Sequence, residues 1–431
     1  MLLVLRNSWP LLLGIGLLMV GNGIQGTLLG VRGALEGFST FQLSVVMSAY
    51  YLGFLFGSRM TPELIRRVGH VRVFAALGSL ISAGLVMFAA IPDWVAWALL
   101  RVLIGFSFCG VYITAESWLN NAATNETRGQ TLSLYMIVQM IGVITAQGLL
   151  NLADPAGWML FVIPSVLVSL AFTPILLSIN PVPVFDSTKP MSFRRLYRAS
   201  PLGCVGMFLV GGLASALFGM AAVWGTLAGL NVARISIFIG AIFLGGLLFQ
   251  YPIGWMSDRM DRRRLLTIIA ILGAVVMAMA VALPLGFGLL VVVALVIGGV
   301  ANPLYSLLLA YTNDYLDNSD MAAASAGLLF INGLGAIAGP LITGWMMAQM
   351  GPDGFFVYIG LLCAILAVYA FWRMTRRAAP GVDSTGAFAV MTSSASPIAL
   401  EAVYTAAQEA ADDAPQEPGD GQDNAAPPGQ P

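Results

Sequence analysis

Apolar residues run along this chain in blocks of about twenty, separated by short polar stretches. A helix crossing the roughly 30 Å hydrocarbon core of a bilayer needs about 20 mostly apolar residues. Twelve such runs are present, near 9–30, 40–60, 72–91, 94–119, 129–152, 158–179, 201–229, 235–255, 265–284, 286–314, 322–349 and 354–373. The longest polar interruption inside this series, residues 180–200, divides it six and six. The pattern predicts an all-α membrane protein of 12 transmembrane helices in two six-helix bundles, 1–179 and 201–377, joined by a cytoplasmic linker at 180–200.

Charge orients the spans. Basic residues cluster at Arg6, at Arg66, Arg67 and Arg72, at Arg128, at Lys189 to Arg198, at Arg259 to Arg264 and at Arg373 to Arg377, all on one side of the array. The opposite loops hold only Arg32 and Arg234. Short loops rich in Arg and Lys stay inside, so both termini are expected in the cytoplasm and the protein in a bacterial inner membrane. The first 25 residues have the outline of a signal peptide. Their apolar run is too long for one, and its removal would leave the first half a helix short.

Composition agrees. Hydrophobic residues make up 58% of 431 positions and charged ones 10%, against about 25% charged in soluble domains; the mean hydropathy is +0.85. The net charge of -1 hides an asymmetry: all 20 basic residues lie at or before Arg377, and eight of the 21 acids lie beyond it. The body is therefore basic and the tail, 378–431, acidic, rich in Ala, Pro, Gly and Gln, and expected to be disordered. The Arg are spread over many loops, which argues against a nucleic-acid partner. One His (His70) and three Cys inside apolar runs offer neither a metal cluster nor a disulfide framework. No cofactor is implied, and the absence of a Gly-x-x-x-x-Gly-Lys-Ser/Thr loop disfavours a nucleotide-driven pump.

The two halves echo each other. The loop Gly254-Trp-Met-Ser-Asp258-Arg259-Met-Asp261-Arg262-Arg263-Arg264 has a faded counterpart 192 residues earlier, Pro62-Glu63-Leu-Ile-Arg66-Arg67-Val-Gly69-His70-Val-Arg72. At a spacing of 193, Gly105 matches Gly298, Tyr112 matches Tyr305, Asn120 matches Asn313 and Gly142 matches Gly335. Parallel repeats of this kind belong to transporters. The Gly254-x-x-x-Asp258-Arg259-x-Asp261-Arg262-Arg263 loop resembles the signature between the second and third helices of each half in the major facilitator superfamily, with Asp261 where that family usually has Gly. Arg101-x-x-x-Gly105, then Glu116 and Arg128-Gly129, also resemble the family pattern, and Glu116-Ser117 with Arg128-Gly129 resemble a poorly characterised group of bacterial permeases within it. The resemblance implies the two-bundle fold, a small-molecule substrate, alternating access, a proton as coupling ion and a functional monomer.

Asp258 follows a helix end, where a carboxylate suits another helix's exposed amides. The expected latch pairs Asp258 with Arg128 and Thr127, and Arg259 or Arg262 with Asp314. In the first half Arg66 stands at the Asp position, and a positive charge cannot cap an N-terminus. The segment entering the eleventh span, Asp314-Tyr-Leu-Asp317-Asn-Ser-Asp320, holds three acids and no base. Arg66 or Arg67 pairing there would make a latch of inverted sign; the alternative is an ordinary anchoring loop among solvated acids.

Ionisable groups inside spans are costly and mark pathways or internal pairs. Arg101 lies roughly 12 Å into the fourth span and Glu116 some 22 Å further on, at about 1.5 Å per residue, too far apart to pair. Arg101 reads as an anion site, a proton-coupling group or a structural Arg, and Glu116 as a gate salt bridge or a protonatable site. The resemblance implies proton coupling for Arg101. Neutral polar residues concentrate mid-span at Asn22, Gln25, Tyr50, Tyr51, Gln139, Asn302, Tyr305 and Asn332. With Arg101, Trp224 and Phe218 they compose a candidate substrate pocket, mainly apolar with a few orienting groups. Gly298-Gly-Val-Ala-Asn302-Pro303 is expected to loosen the tenth span beside it. With no carboxylate at mid-depth, a neutral or weakly anionic small organic molecule suits it better than a cation. Gly335-x-x-x-Gly339-Pro340 resembles a glycine-proline signature that antiporters of the family place in their fifth helix, and here it is displaced to the eleventh. The sequence thus reads as a secondary transporter. The rivals are a drug or metabolite efflux antiporter and, outside transport, a membrane sensor signalling through the acidic tail.

Overall fold

A computed structural model describes residues 2–122, 125–177 and 191–376. The tail 378–431 and most of the linker lie outside the described residues. The first half comprises α1 (Leu2–Leu35), α2 (Thr40–Val68), α3 (His70–Ala90), α4 (Trp94–Ala122), α5 (Asn125–Leu149) and α6 (Met159–Leu177). A short α7 (Phe193–Ala199) precedes the second: α8 (Pro201–Leu227), α9 (Val232–Ser257), α10 (Arg262–Ala282), α11 (Phe287–Asn313), α12 (Asn318–Met350) and α13 (Asp353–Met374). Among the described residues ten helices are long and apolar enough to cross a membrane, and α5 and α6 carry shorter apolar stretches, Ser133–Leu149 and Met159–Pro174. These are the twelve expected spans, and the chain is a multi-pass membrane protein.

Packing repeats between the halves. In the first, α2 crosses α4, α1 packs on α5 and α6, and α3 lies on α4 and α6. In the second, α9 crosses α11, α8 packs on α12 and α13, and α10 lies on α11 and α13. Apolar surface carried by α3, α6, α10 and α13, including Leu80, Leu170, Ile271 and Val368, is exposed, as lipid-facing helices require. The halves meet where α2 runs against α12, α5 against α9 and α1 against α8.

Glycine matches in the sequence repeat become equivalent helix crossings. A Cβ on Gly105 would strike the Tyr50 carbonyl and one on Gly53 the Val102 carbonyl, so α2 and α4 touch backbone to backbone. The second half repeats this with Gly298 on the Ile242 carbonyl and Gly245 on the Leu295 carbonyl, locking α9 to α11. Gly142 packs against Gly16 and Met19 of α1, and Gly335 against the Phe208 carbonyl of α8. Gly339 likewise meets Gly212 and Ser215, so the displaced Gly-x-x-x-Gly-Pro is a packing seam between α12 and α8. In a bilayer, where apolar side chains gain nothing by leaving lipid, such close approach is what holds helices together.

Two local expectations change. Residues 62–68 are not a loop: α2 runs on to Val68, supported by Glu63 pairing with Arg66 and Arg67 one turn on, and Gly69 at φ 85° makes the whole turn to α3. The loosened span is the seventh, not the tenth. α11 is continuous through Pro303 because Gly298 is used for close packing on Ile242, and Asn302 donates back to the Gly298 carbonyl at 3.3 Å. α8 instead holds a π-helical turn, Ala216–Met220.

Leucine at Gly105 or Gly298 should force the paired helices apart, costing about 1–3 kcal/mol. Thermal unfolding of the purified protein measures it; a Gly105→Leu variant melting like the wild type would contradict the crossing.

Candidate functional site

One cavity of about 210 Å³ lies between the halves, walled by α1, α2, α4 and α5 from the first and by α8, α9, α11 and α12 from the second. Eight of the expected pocket residues line it: Asn22, Tyr50, Tyr51, Arg101, Gln139, Phe218, Asn302 and Asn332. Three do not. Gln25 is buried away from the wall with both amide atoms unpartnered, because only part of a helix face three residues wide reaches the opening. Trp224 is taken up in an aromatic cluster with Phe238, Phe355 and Phe356 at ring-centroid distances of 4.5, 5.5 and 5.0 Å. Tyr305 is buried in the second bundle. In their place Tyr112 and Gln147 reach the cavity, and the π-turn carries Phe218 together with Gly219 into its wall. Such turns recur at functional sites and leave no mark in hydrophobic periodicity.

Arg101 is 4% exposed. Its guanidinium carbon lies 4.5 Å from the Tyr50 ring centroid, its Nη2 is 3.9 Å from Met47 Sδ, and its Nε has no acceptor. An aromatic face, not a backbone carbonyl, holds it among the described residues. Nearby, Asn22 donates to the Tyr112 hydroxyl at 3.1 Å, Thr27 donates to Gln147 at 3.0 Å, and Asn332 donates to the Met207 carbonyl at 3.1 Å. Phe218 and Phe243 stack at 4.6 Å on the apolar side. Glu116 lies off the cavity, fully buried, and accepts from the Tyr135 hydroxyl at 2.9 Å.

Toward the linker end the charges sort within halves. Arg262, buried, donates to Asp314 at 2.5 Å, to Ser257 at 3.1 Å and to the Ala310 carbonyl at 3.3 Å, with Asp258 at 3.6 Å. The start of α10 is thereby tied to the end of α11. Arg259 lies over the Trp255 ring at 4.2 Å, and Gly254 is buried in the last turn of α9. Asp261 caps α10 through the Arg263 amide. Partial burial opposes its ionisation, yet the hydrogen bonds from Arg263 prevail and hold its carboxyl below the usual range.

The inverted latch is not formed in this conformation. Arg66 and Arg67 turn back to Glu63, while Asp320 is met at 2.5 Å by Arg195 of α7. Asp317 stands at the N-cap of α12 without a side-chain capping bond. The Arg128 side chain lies outside the described residues. Between the halves, Ser48 donates to the Ile337 carbonyl at 2.6 Å. Arg59, which the sequence reading passed over, sits on the Phe330 ring at 4.5 Å across the α2–α12 seam.

Two bundles of repeated packing around a shared, mostly apolar cavity define a membrane transporter of the two-bundle class. Profiles of known families agree: "Major Facilitator Superfamily" matches residues 203–407, and "Sugar (and other) transporter" matches residues 18–185. The second half thus matches the superfamily that the loop signature resembles, and the first half matches a transporter family. It is 27% identical over 369 residues to the "Uncharacterized MFS-type transporter YcaD" of Escherichia coli, strains S88 and ED1a among others, covering 82% of this chain and 92% of the relative. Solved structures share the fold. A mutant of the nucleoside transporter NupG superposes with a TM-score of 0.74 at 16% identity, over 85% of this chain and 99% of that one. A bacterial homologue of the human lysosomal transporter Spinster gives 0.64 at 16%, over 93% and 97%.

Breaking the Arg262–Asp314 pair from one side, by Arg262→Met or Asp314→Leu, should destabilise by about 3–5 kcal/mol, and the double change should recover much of it. Thermal unfolding of the three variants tests this; single changes without effect would show that the pair does not hold α10 to α11.

Proposed function

We propose that the protein moves a small organic molecule across the inner membrane by alternating access, as a proton-coupled secondary transporter acting as a monomer with both termini in the cytoplasm. The observation that carries this is the cavity, since polar groups from both halves converge on one enclosed volume at the only kind of surface along which the bundles can move. Within each half glycines set helix backbones directly on one another, whereas the glycines at the seams, Gly30 and Gly344, come nearest to the side chains of Ala222 and Ser44, beside contacts such as Ser48–Ile337 and Arg59–Phe330. Rocking at those seams would expose the cavity to one side and then the other.

Glu116 is the group assigned to the proton. It is a carboxylate buried inside a span, it is held by Tyr135, and it lies on the same helix as Arg101, so its protonation state bears on the helix that carries the cavity's cation. Arg59, Arg66, Arg67, Asp258, Arg259, Arg262, Asp314, Asp317 and Asp320 form the gating layer at the linker end, with Arg195–Asp320 and Arg262–Asp314 as the pairs already closed.

The test is uptake of a defined metabolite mixture into proteoliposomes under an imposed proton gradient. A solute should accumulate only with protein present, and Glu116→Gln should abolish accumulation while sparing exchange of the same solute. Undiminished accumulation by Glu116→Gln would remove the proton role, and no protein-dependent movement of any solute would remove transport.

A further inference from the structure

Within the cavity the charge balance is unfinished. Arg101 contributes a guanidinium to the wall, and no Asp or Glu is among the lining residues. Among the described residues its contacts are a tyrosine face and a thioether, neither of which carries negative charge, and its Nε has no acceptor. A buried cation without a counter-ion is strongly unfavourable, and burial of this kind is ordinarily compensated by an anion in bidentate contact. The remaining polar wall is made of amides and phenols (Asn22, Gln139, Gln147, Asn302, Tyr51, Tyr112), which orient but do not neutralise.

We propose that the substrate itself supplies the missing charge: the cavity takes a monocarboxylate with an apolar body, its carboxylate on Arg101 and its body along the Phe218–Phe243 wall. The inference rests on the transport reading above and narrows it to a substrate class. One cation in the wall matches one carboxylate, and a second acid group on the solute would be left in an apolar enclosure with no base to meet it. The body is set by the rest of the lining. Phe218 and Phe243 stack at 4.6 Å, and Phe54, Leu55, Ile239 and Val143 add further apolar surface to the cavity wall, so a hydrocarbon or aromatic chain is favoured over a polyhydroxylated one. Amines are excluded by the same reasoning, because an ammonium would add to the uncompensated charge. Arg101 then also has a part in gating. With the anion bound, the guanidinium is neutralised, and moving the cavity through a closed intermediate no longer requires sealing a bare charge in the membrane.

The experiment uses the full-length protein in lipid nanodiscs, with hexanoate, 3-phenylpropanoate, 3-phenylpropanamide, 3-phenylpropylamine and phenylsuccinate as probes. Affinity is read from the concentration dependence of the thermal midpoint. The two monocarboxylates should bind, and the amide, amine and dianion should bind roughly 30-fold or more weakly. Arg101→Gln should erase the preference for carboxylate over amide, and Arg101→Lys should keep part of it. The wild-type comparison stands by itself if Arg101→Gln fails to fold. Equal binding of acid and amide, a preference that survives Arg101→Gln, or no binding by either monocarboxylate would each overturn the proposal. Counterflow of the same probes separates the two readings: flux without carboxylate preference sinks the substrate class and leaves transport, whereas carboxylate binding without flux does the reverse.

Discussion

Backbone contact at glycine is the constraint on which the rest of this structure depends. Lipid offers helices no hydrophobic reward for meeting, so association rests on how closely their backbones can approach. Gly53 and Gly105 meet α4 and α2 reciprocally, and Gly245 and Gly298 do the same for α11 and α9. Each half is thereby a locked unit, and whatever freedom the molecule has is confined to the surfaces between halves. The cavity between the halves lies at those surfaces.

From that arrangement the distribution of charge follows. Inside the second half the Arg262–Asp314 pair is tight and buried, whereas the first half's Glu63 pairs with Arg66 and Arg67 lie exposed at the end of α2. Across the seams the polar contacts among the described residues include a serine on a carbonyl and an arginine on a ring. Arg101 belongs to neither kind. It is buried like a structural group, yet its partners are a ring face and a sulfur, and it faces the space that a solute would fill. The two linker-end segments also differ in kind. The second half has a true turn with Asp258 and Asp261 at helix ends, and the first has a helix carried through to Val68 with its bases satisfied by Glu63.

Much of the fold was legible in the sequence, because the bilayer imposes long apolar runs and the repeat carries its own register. The matched pairs Gly105–Gly298 and Gly142–Gly335 proved to be helix contacts at equivalent places. The site was legible in part. Asn22, Tyr50, Arg101, Gln139, Asn302 and Asn332 were found from polarity at mid-span. Gln25, Trp224 and Tyr305 have the same polarity and depth but point into protein, a matter of rotation about the helix axis that uniform hydrophobicity does not record. The π-turn that delivers Phe218 was invisible for a related reason: it changes hydrogen-bond register without changing composition. At the linker end Arg66 pairs in this conformation with Glu63, three residues away on a continuing helix, rather than with the distant acids of α12.

The central claim is that two rigid halves move about one cavity. Distances between nitroxide labels test it most directly, with the three buried cysteines, Cys109, Cys204 and Cys363, replaced. Labels at exposed Leu35 and Leu152 report within the first half, and labels at Leu35 and exposed Leu227 report across the halves. In proteoliposomes the account predicts that solute or pH shifts the Leu35–Leu227 distribution and leaves Leu35–Leu152 narrow and unchanged. A shift within the half, or none between the halves, would contradict it.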